Sequence, residues 1–264
     1  MTGFSVEQHH HIAVVTLDRP PINSMVRETY QQLGEVFNTL GQRAGARVAV
    51  LRARGPYFCP GNDVSEFQGL ITADAAAGYA QVVSDGVGAV YNCELPVVAA
   101  VHGHALGAGM AIAACADVIV AAEEALFGIP EIKVGVIGAS AFLALMVPEK
   151  VARYLALTGG SISARQAQQY GGVHSVLPAD QVFDGAMTVA RELCQRPPTA
   201  LRYFKEAMNI NLDARLAEKY ATEAGYTRKF VGSAEWNEAV SAFMEKREPH
   251  YGDANPGAEV RADE

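Results

Sequence analysis

The sequence predicts an α/β fold, with buried strands layered against helices. Three observations carry this. The N-terminal part alternates strand, helix and strand patterns. Residues 95–101 (LPVVAAV) form a continuous apolar run of strand length that feeds a glycine-rich turn. Half of the 264 residues (50%) are hydrophobic, ample for a real core in one large domain or one domain with an appendage.

Taken in order, residues 12–17 (IAVVTL) predict a strand, and 18–23 (DRPPIN) break it into an extended turn. His9, His10 and His11 precede it, but consecutive strand residues point to alternate faces and cannot readily share one ion, so no metal site is expected. In residues 25–41, Tyr30, Leu33, Val36, Phe37 and Leu40 recur at helical spacing, and 47–51 is the next strand. Residues 55–67 (GPYFCPGNDVSEF) hold the Pro60-Gly61 turn signal, after which Asn62-Asp63-Val64 can open a helix with free N–H groups. Taken alone, this stretch reads at least as well as a plain surface turn, with Asp63 as a turn or cap residue. Residues 72–92 favour a helix.

The chain is organised around residues 101–131 (VHGHALGAGMAIAACADVIVAAEEALFGIPE). Gly107, Ala108 and Gly109 have almost no side chain, so a ligand can come against the N–H groups where the next helix begins. This predicts an anion or oxyanion site made of backbone. Residues 110–115 predict a small-residue helix able to bury on all sides, 117–120 a short buried strand with Asp117 as a structural hydrogen-bonding group, and 127–130 the turn that delivers Glu131. That carboxylate arrives among apolar neighbours, where desolvation would raise its pKa. His102 and His104 flank Gly103 and could supply a base, although histidines so placed more often satisfy a backbone carbonyl.

Further on, residues 139–147, 150–158, 163–170 and 180–196 read as helices, with a short strand at 173–176 and a stop at Pro197-Pro198. Residues 199–246 read as helical throughout, with Phe204, Met208, Tyr220, Tyr226, Phe230, Trp236 and Phe243 among their large apolar groups. A small appendage cannot cover so many, which argues for packing on the body and on another subunit. Residues 250–264 are polar and expected to fray. A net charge of −8 disfavours nucleic acid and anionic membrane as partners. Cys59, Cys93, Cys115 and Cys194 lack metal-ligand spacing, no signal-peptide pattern opens the chain, and no apolar run reaches the length of a membrane span. These features predict a cytoplasmic protein with reduced thiols.

Five stretches, VVTLDRPPINS, FCPGNDV, HGHALGAGMAIAACADVIVAAEEALFGIPEIKVG, LTGGSISARQAQQYGGVHSVLP and AFMEKREP, occur in the order and at the spacing of one family. Together they resemble the enoyl-CoA hydratase/isomerase (crotonase) family over nearly the whole chain. The resemblance implies a crotonase-like spiral of β-β-α units over residues 1–196 and a C-terminal helical region, 197–264, that builds trimers, often paired into hexamers. It implies an acyl-CoA thioester as substrate, with no cofactor beyond the coenzyme A the substrate carries. The N–H of Asn62, after Gly61, and of Ala108, between Gly107 and Gly109, would hold the thioester oxygen of an enolate. Phe243 and Lys246 would border the CoA nucleotide, including from a neighbouring subunit.

The same resemblance gives the family's hydratases two carboxylates; here the second is Glu131, and Ala111 stands in place of the first. Phe142, within GASAF where hydratases have PGAGG, likewise replaces a small residue beside the pocket. Adding water to a double bond needs one group to activate water and another to protonate carbon, whereas moving a double bond needs a single shuttle. The expected activity is therefore a double-bond shift with Glu131 as the acid and base. Alternatives are a hydratase or dehydratase that pairs Glu131 with another group or a bound water, and a catalytically silent CoA-ester or RNA-binding member. The acidic balance speaks against RNA, and the retained Glu131 speaks against silence.

Overall fold

A computed structural model of the protein describes residues 3–69, 72–212, 225, 228 and 231–247. Its main sheet has six strands in the order β1 (Gly3–His9), β2 (Ile12–Asp18), β3 (Val48–Ala53), β4 (Val97–Val101), β6 (Val118–Ala122), β9 (Ser175–Leu177). Only β1 is antiparallel to its neighbour; the other pairings are parallel. The inner strands are Val-, Ile- and Ala-rich runs buried almost throughout, as expected of a parallel sheet covered on both faces. A second sheet of three short strands is ordered β5 (His104–Leu106), β7 (Leu126–Gly128), β8 (Ser161–Ser163).

The chain passes repeatedly from the large sheet to the small one and then into helix. β4 leads to β5 and α3 (Ala108–Ala114); β6 leads to β7, a 3-10 turn (Pro130–Val134), α4 (Ser140–Met146) and α5 (Glu149–Thr158). This is the β-β-α spiral expected from the sequence. Earlier in the chain, α1 (Arg27–Thr39) packs against α2 (Ala73–Tyr91) with Tyr30, Leu33 and Phe37 on its buried face. After α6 (Ala164–Gln169), whose cap is a reciprocal pair between Ser163 and Gln166, α7 (Val182–Cys194) covers β3, β4 and β6.

The C-terminal region contributes α8 (Pro198–Leu212) and α9 (Ala234–Glu245). Lys205 ties α8 to the sheet: its Nζ donates to Asp117 Oδ2 at 2.7 Å and to the Leu95 carbonyl at 3.1 Å. The same carboxylate oxygen accepts the Val97 N–H at 2.7 Å, so Asp117 has the structural role expected of it. Among the described residues no helix is long and apolar enough to cross a membrane, and no three His, Cys, Asp or Glu side chains gather.

Several expectations need correcting. β1 was not anticipated. Residues 104–106 and 126–128 are strands rather than parts of turns. Residues 199–246 are not helical throughout: the chain turns at Gly232, in a left-handed conformation with φ of 83°, and Ser233 caps α9. Tyr220, Tyr226, Phe230 and residues 250–264 lie outside the described residues.

Candidate active site

Two backbone segments, far apart in sequence, come together beside the small sheet. The β2–α1 loop prepares the first. Asn23, buried and left-handed, donates from Nδ2 to the carbonyls of Arg54 (2.6 Å) and Tyr57 (2.8 Å) and accepts the Arg19 N–H at 2.8 Å. The segment that follows runs beside β5 like an added strand: Phe58 N–H donates to the His102 carbonyl at 2.9 Å, Cys59 N–H to His104 at 3.0 Å, and Leu106 N–H to Cys59 at 3.0 Å. Gly61, at φ of +123°, then turns the chain. Its carbonyl accepts the Met25 N–H and the Asp63 N–H donates to the Met25 carbonyl, each at 2.8 Å. Successive strand groups point to opposite sides, so the N–H of Asn62, between those two bonds, is turned away from Met25.

The second segment is the start of α3. Gly107 takes φ of +53° and donates to the Gly128 carbonyl at 2.8 Å, and the first helical bond runs from Ala111 N–H to the Gly107 carbonyl. Ala108 therefore lies in the first turn, where an N–H has no intrahelical acceptor. Gly109 is where the two segments touch: a Cβ there would sit 2.0 Å from the Cys59 carbonyl oxygen. Backbone crosses backbone at a separation no side chain permits.

Asn62, Ala108, Ala111, Glu131 and Phe142 line one cavity of about 70 Å³. Glu131 is its one acid among the described residues. Pro130 opens the 3-10 turn that carries it, and the left-handed Gly135 closes that turn. The carboxylate lies against the Gly107 backbone: a Cβ at residue 107 would be 2.2 Å from Glu131 Oε1. Ala111 and Phe142 are buried walls of this cavity. Gly61, Gly107 and Gly109 shape the backbone next to the cavity. Phe243 and Lys246 are not brought to it: both are exposed, at the end of α9 and just beyond it. Neither His102 nor His104 lines the cavity; a His102 ring nitrogen lies 2.9 Å from the Gly55 carbonyl, and His104 stacks on Tyr57. Asp63 forms a turn with Ser65. The Ser65 hydroxyl, 2.7 Å from Oδ1, holds its carboxyl below the usual range, with help from the Ser65 N–H and Arg19.

Tyr30, Tyr79 and Trp236 are among the cavity residues that the sequence reading did not assign to the site. The hydroxyls of Tyr30 and Tyr79 both donate to Asn62 Oδ1, at 2.5 and 3.3 Å, and Trp236 enters from α9. Helical spacing placed Tyr30 on an inward face, but nothing in the sequence said what that face met. The Cys59 thiol is also buried here; burial pushes it up to about 12, with the Glu131 charge adding to the effect and the Gly61 carbonyl opposing it.

A family model described as enoyl-CoA hydratase/isomerase matches residues 7–254. The chain is 33% identical over 241 residues to a (7aS)-7a-methyl-1,5-dioxo-2,3,5,6,7,7a-hexahydro-1H-indene-carboxyl-CoA hydrolase of Mycobacterium tuberculosis, covering 89% of this chain and 95% of the relative. It is 30% identical over 255 residues to the 2,3-dehydroadipyl-CoA hydratase of Escherichia coli, covering 95% and 99%. An enoyl-CoA hydratase crystal structure from Mycobacterium avium subsp. paratuberculosis superposes with a TM-score of 0.83 at 26% identity, covering 96% of this chain and 99% of that one. With the match running from β1 past α9 and taking in both backbone segments and Glu131, the chain belongs to the enoyl-CoA hydratase/isomerase family and is an enzyme of it.

Proposed function

We propose that the protein shifts the double bond of an enoyl-CoA by proton transfer through a thioester enolate. Glu131 takes a proton from the α-carbon of a 3-enoyl thioester, the electron pair moves into the carbonyl, and the oxygen accepts N–H donors from Asn62 and Ala108. The same carboxyl then returns the proton to the γ-carbon, which leaves the 2-enoyl ester. Each donor would supply about 3–4 kcal/mol of transition-state stabilisation. The observation that carries this reading is that, among the described residues, Glu131 is the one acid in the cavity, set against Gly107, with a buried alanine at 111. No cofactor takes part beyond the coenzyme A of the substrate. Exposed apolar groups on two helices, Tyr154 and Leu157 on α5 and Phe204 and Met208 on α8, fit contacts between copies in a trimer or a pair of trimers.

The test is incubation with 2-enoyl- and 3-enoyl-CoA esters in deuterated water, read by mass. The wild type incorporates solvent deuterium, and Glu131→Gln loses at least about a hundredfold in rate. Equal exchange by both proteins refutes the assignment of the base. The hydrolase relative favours a second reading, in which Glu131 takes its proton from water and the acyl group gains a water's mass. Such a gain, from an ester the wild type does not isomerise, would replace the first reading with this one.

A further inference from the structure

One wall of the cavity comes from the C-terminal part of the chain, more than a hundred residues after Glu131. Gly232 turns the chain and the Ser233 hydroxyl accepts the Trp236 N–H at 3.1 Å, which fixes the first turn of α9. The buried residues of this helix, Trp236, Ala239 and Ala242, are 5%, 2% and 1% exposed. Their spacing of three places them on one face. Two of them are methyl-sized, so the helix backbone can lie close to the body, and among the described residues the one large buried group of this helix is the indole. That face packs on the 3-10 turn carrying Glu131, and the indole enters the cavity that Glu131 and Phe142 also line.

The space left is small. An apolar cavity of about 150 Å³ accepts a benzene ring, and here about 70 Å³ remains. A double ring, such as the indene in the hydrolase relative's name, does not fit that space unless a wall gives way, and the indole is the large group that α9 contributes to it.

We propose that Trp236 is the residue that limits acyl size, making this a site for short, compact acyl-CoA esters, and that removing the indole moves its preference to longer and ring-bearing ones. This rests on the cavity being the acyl-CoA site proposed above, but not on which reaction follows. Trp236 is the chain's only tryptophan, so its emission reports from the wall itself.

The experiment measures Kd for butyryl-, hexanoyl- and decanoyl-CoA by calorimetry on the wild type, Trp236→Leu and Trp236→Ala, alongside turnover of the matching 3-enoyl esters. Butyryl-CoA is also titrated against wild-type emission. The wild type is expected to favour butyryl- over decanoyl-CoA by at least about tenfold, and the leucine variant to lose that preference or reverse it by a similar factor. The alanine variant goes further if it folds, and the leucine variant decides the matter if it does not. An unchanged preference in folded Trp236→Leu overturns the proposal, as does calorimetric binding of butyryl-CoA without any change in emission. Binding with the expected size limit, but without turnover of any ester, refutes the double-bond shift and leaves the size limit standing. Absence of binding to every ester refutes both.

Discussion

Gly109→Ala is the sharpest probe of the two-segment site. Its Cβ would meet the Cys59 carbonyl oxygen at 2.0 Å and the carbonyl carbon at 2.8 Å, where real contacts essentially never fall below 3.0 Å. Both neighbours are backbone, so no rotamer relieves the clash. The segments must part by about 1 Å, and Asn62 and Ala108 ride on opposite sides of that gap. A misplacement of about 1 Å can cost 10²-fold in rate, and full loss of one oxyanion donor about 10²–10³-fold. The exchange rate in deuterated water should therefore fall by at least about a hundredfold. Overpacking of about 1–3 kcal/mol should lower the melting temperature by about 2–12 °C, leaving a folded protein to assay. Gly78→Ala is the control: it lies on α2 with nothing within 4 Å of its added Cβ, and should stabilise by about 0.5–1 kcal/mol with activity unchanged. A folded Gly109→Ala protein that exchanges within about threefold of wild type would refute the idea that the closeness of these segments sets the rate.

Three further perturbations test other parts of the structure. Tyr30→Phe removes the shorter of the two phenolic bonds to Asn62. It should cost about 1 kcal/mol in chemical denaturation and lower kcat by roughly tenfold with little change in KM; an unchanged kcat would mean the phenol does not hold Asn62 in place. Lys205→Met takes the cation from the Asp117 carboxylate and leaves it the Val97 N–H. Because that carboxylate's side chain is 32% exposed, the usual loss of about 3–5 kcal/mol for a broken buried pair reduces to about 2 kcal/mol, measurable as a lower urea midpoint. Cys59 makes stability depend on alkaline pH. Its thiol is raised from 9.0 to about 12 in the folded protein, so the unfolded chain loses its proton first. The thiol's contribution is complete below about pH 9 and drains away towards pH 12, by up to about 1.4 kcal/mol per pH unit. Cys59→Ala should flatten that slope, and identical slopes would contradict the burial of the thiol.

The long elements were legible because their patterns are local. The spacing of Tyr30, Leu33 and Phe37 gave α1, and the apolar run before His102 gave β4. β5, β7 and β8 are three residues each, too short for any period to show, and exist through pairing between distant segments. β1 carries exposed polar groups along an edge and offers little apolar signal. Gly232 and Ser233 are a readable stop and cap, but residues 199–246 read as one continuous helical stretch. In the site, residues 61–62, 107–109 and 131 could be named because their chemistry follows from backbone shape and a matched pattern. Trp236 was legible as one of several large apolar groups in the C-terminal part, but its target depends on how α9 docks, which no local pattern encodes.

Ala111 lies in the second turn of α3, with its methyl group against the cavity. An alanine codon ending in A or G becomes a glutamate codon by one base change. A carboxylate at 111 would share a confined space with the one at 131, and two like charges there could not both ionise freely. One would be pushed towards the protonated form while the other stayed charged, which is the division of labour that adding water demands. The identity of one buried methyl thus separates a cavity in which Glu131 is the one acid among the described residues from one in which two acids apportion a proton between them.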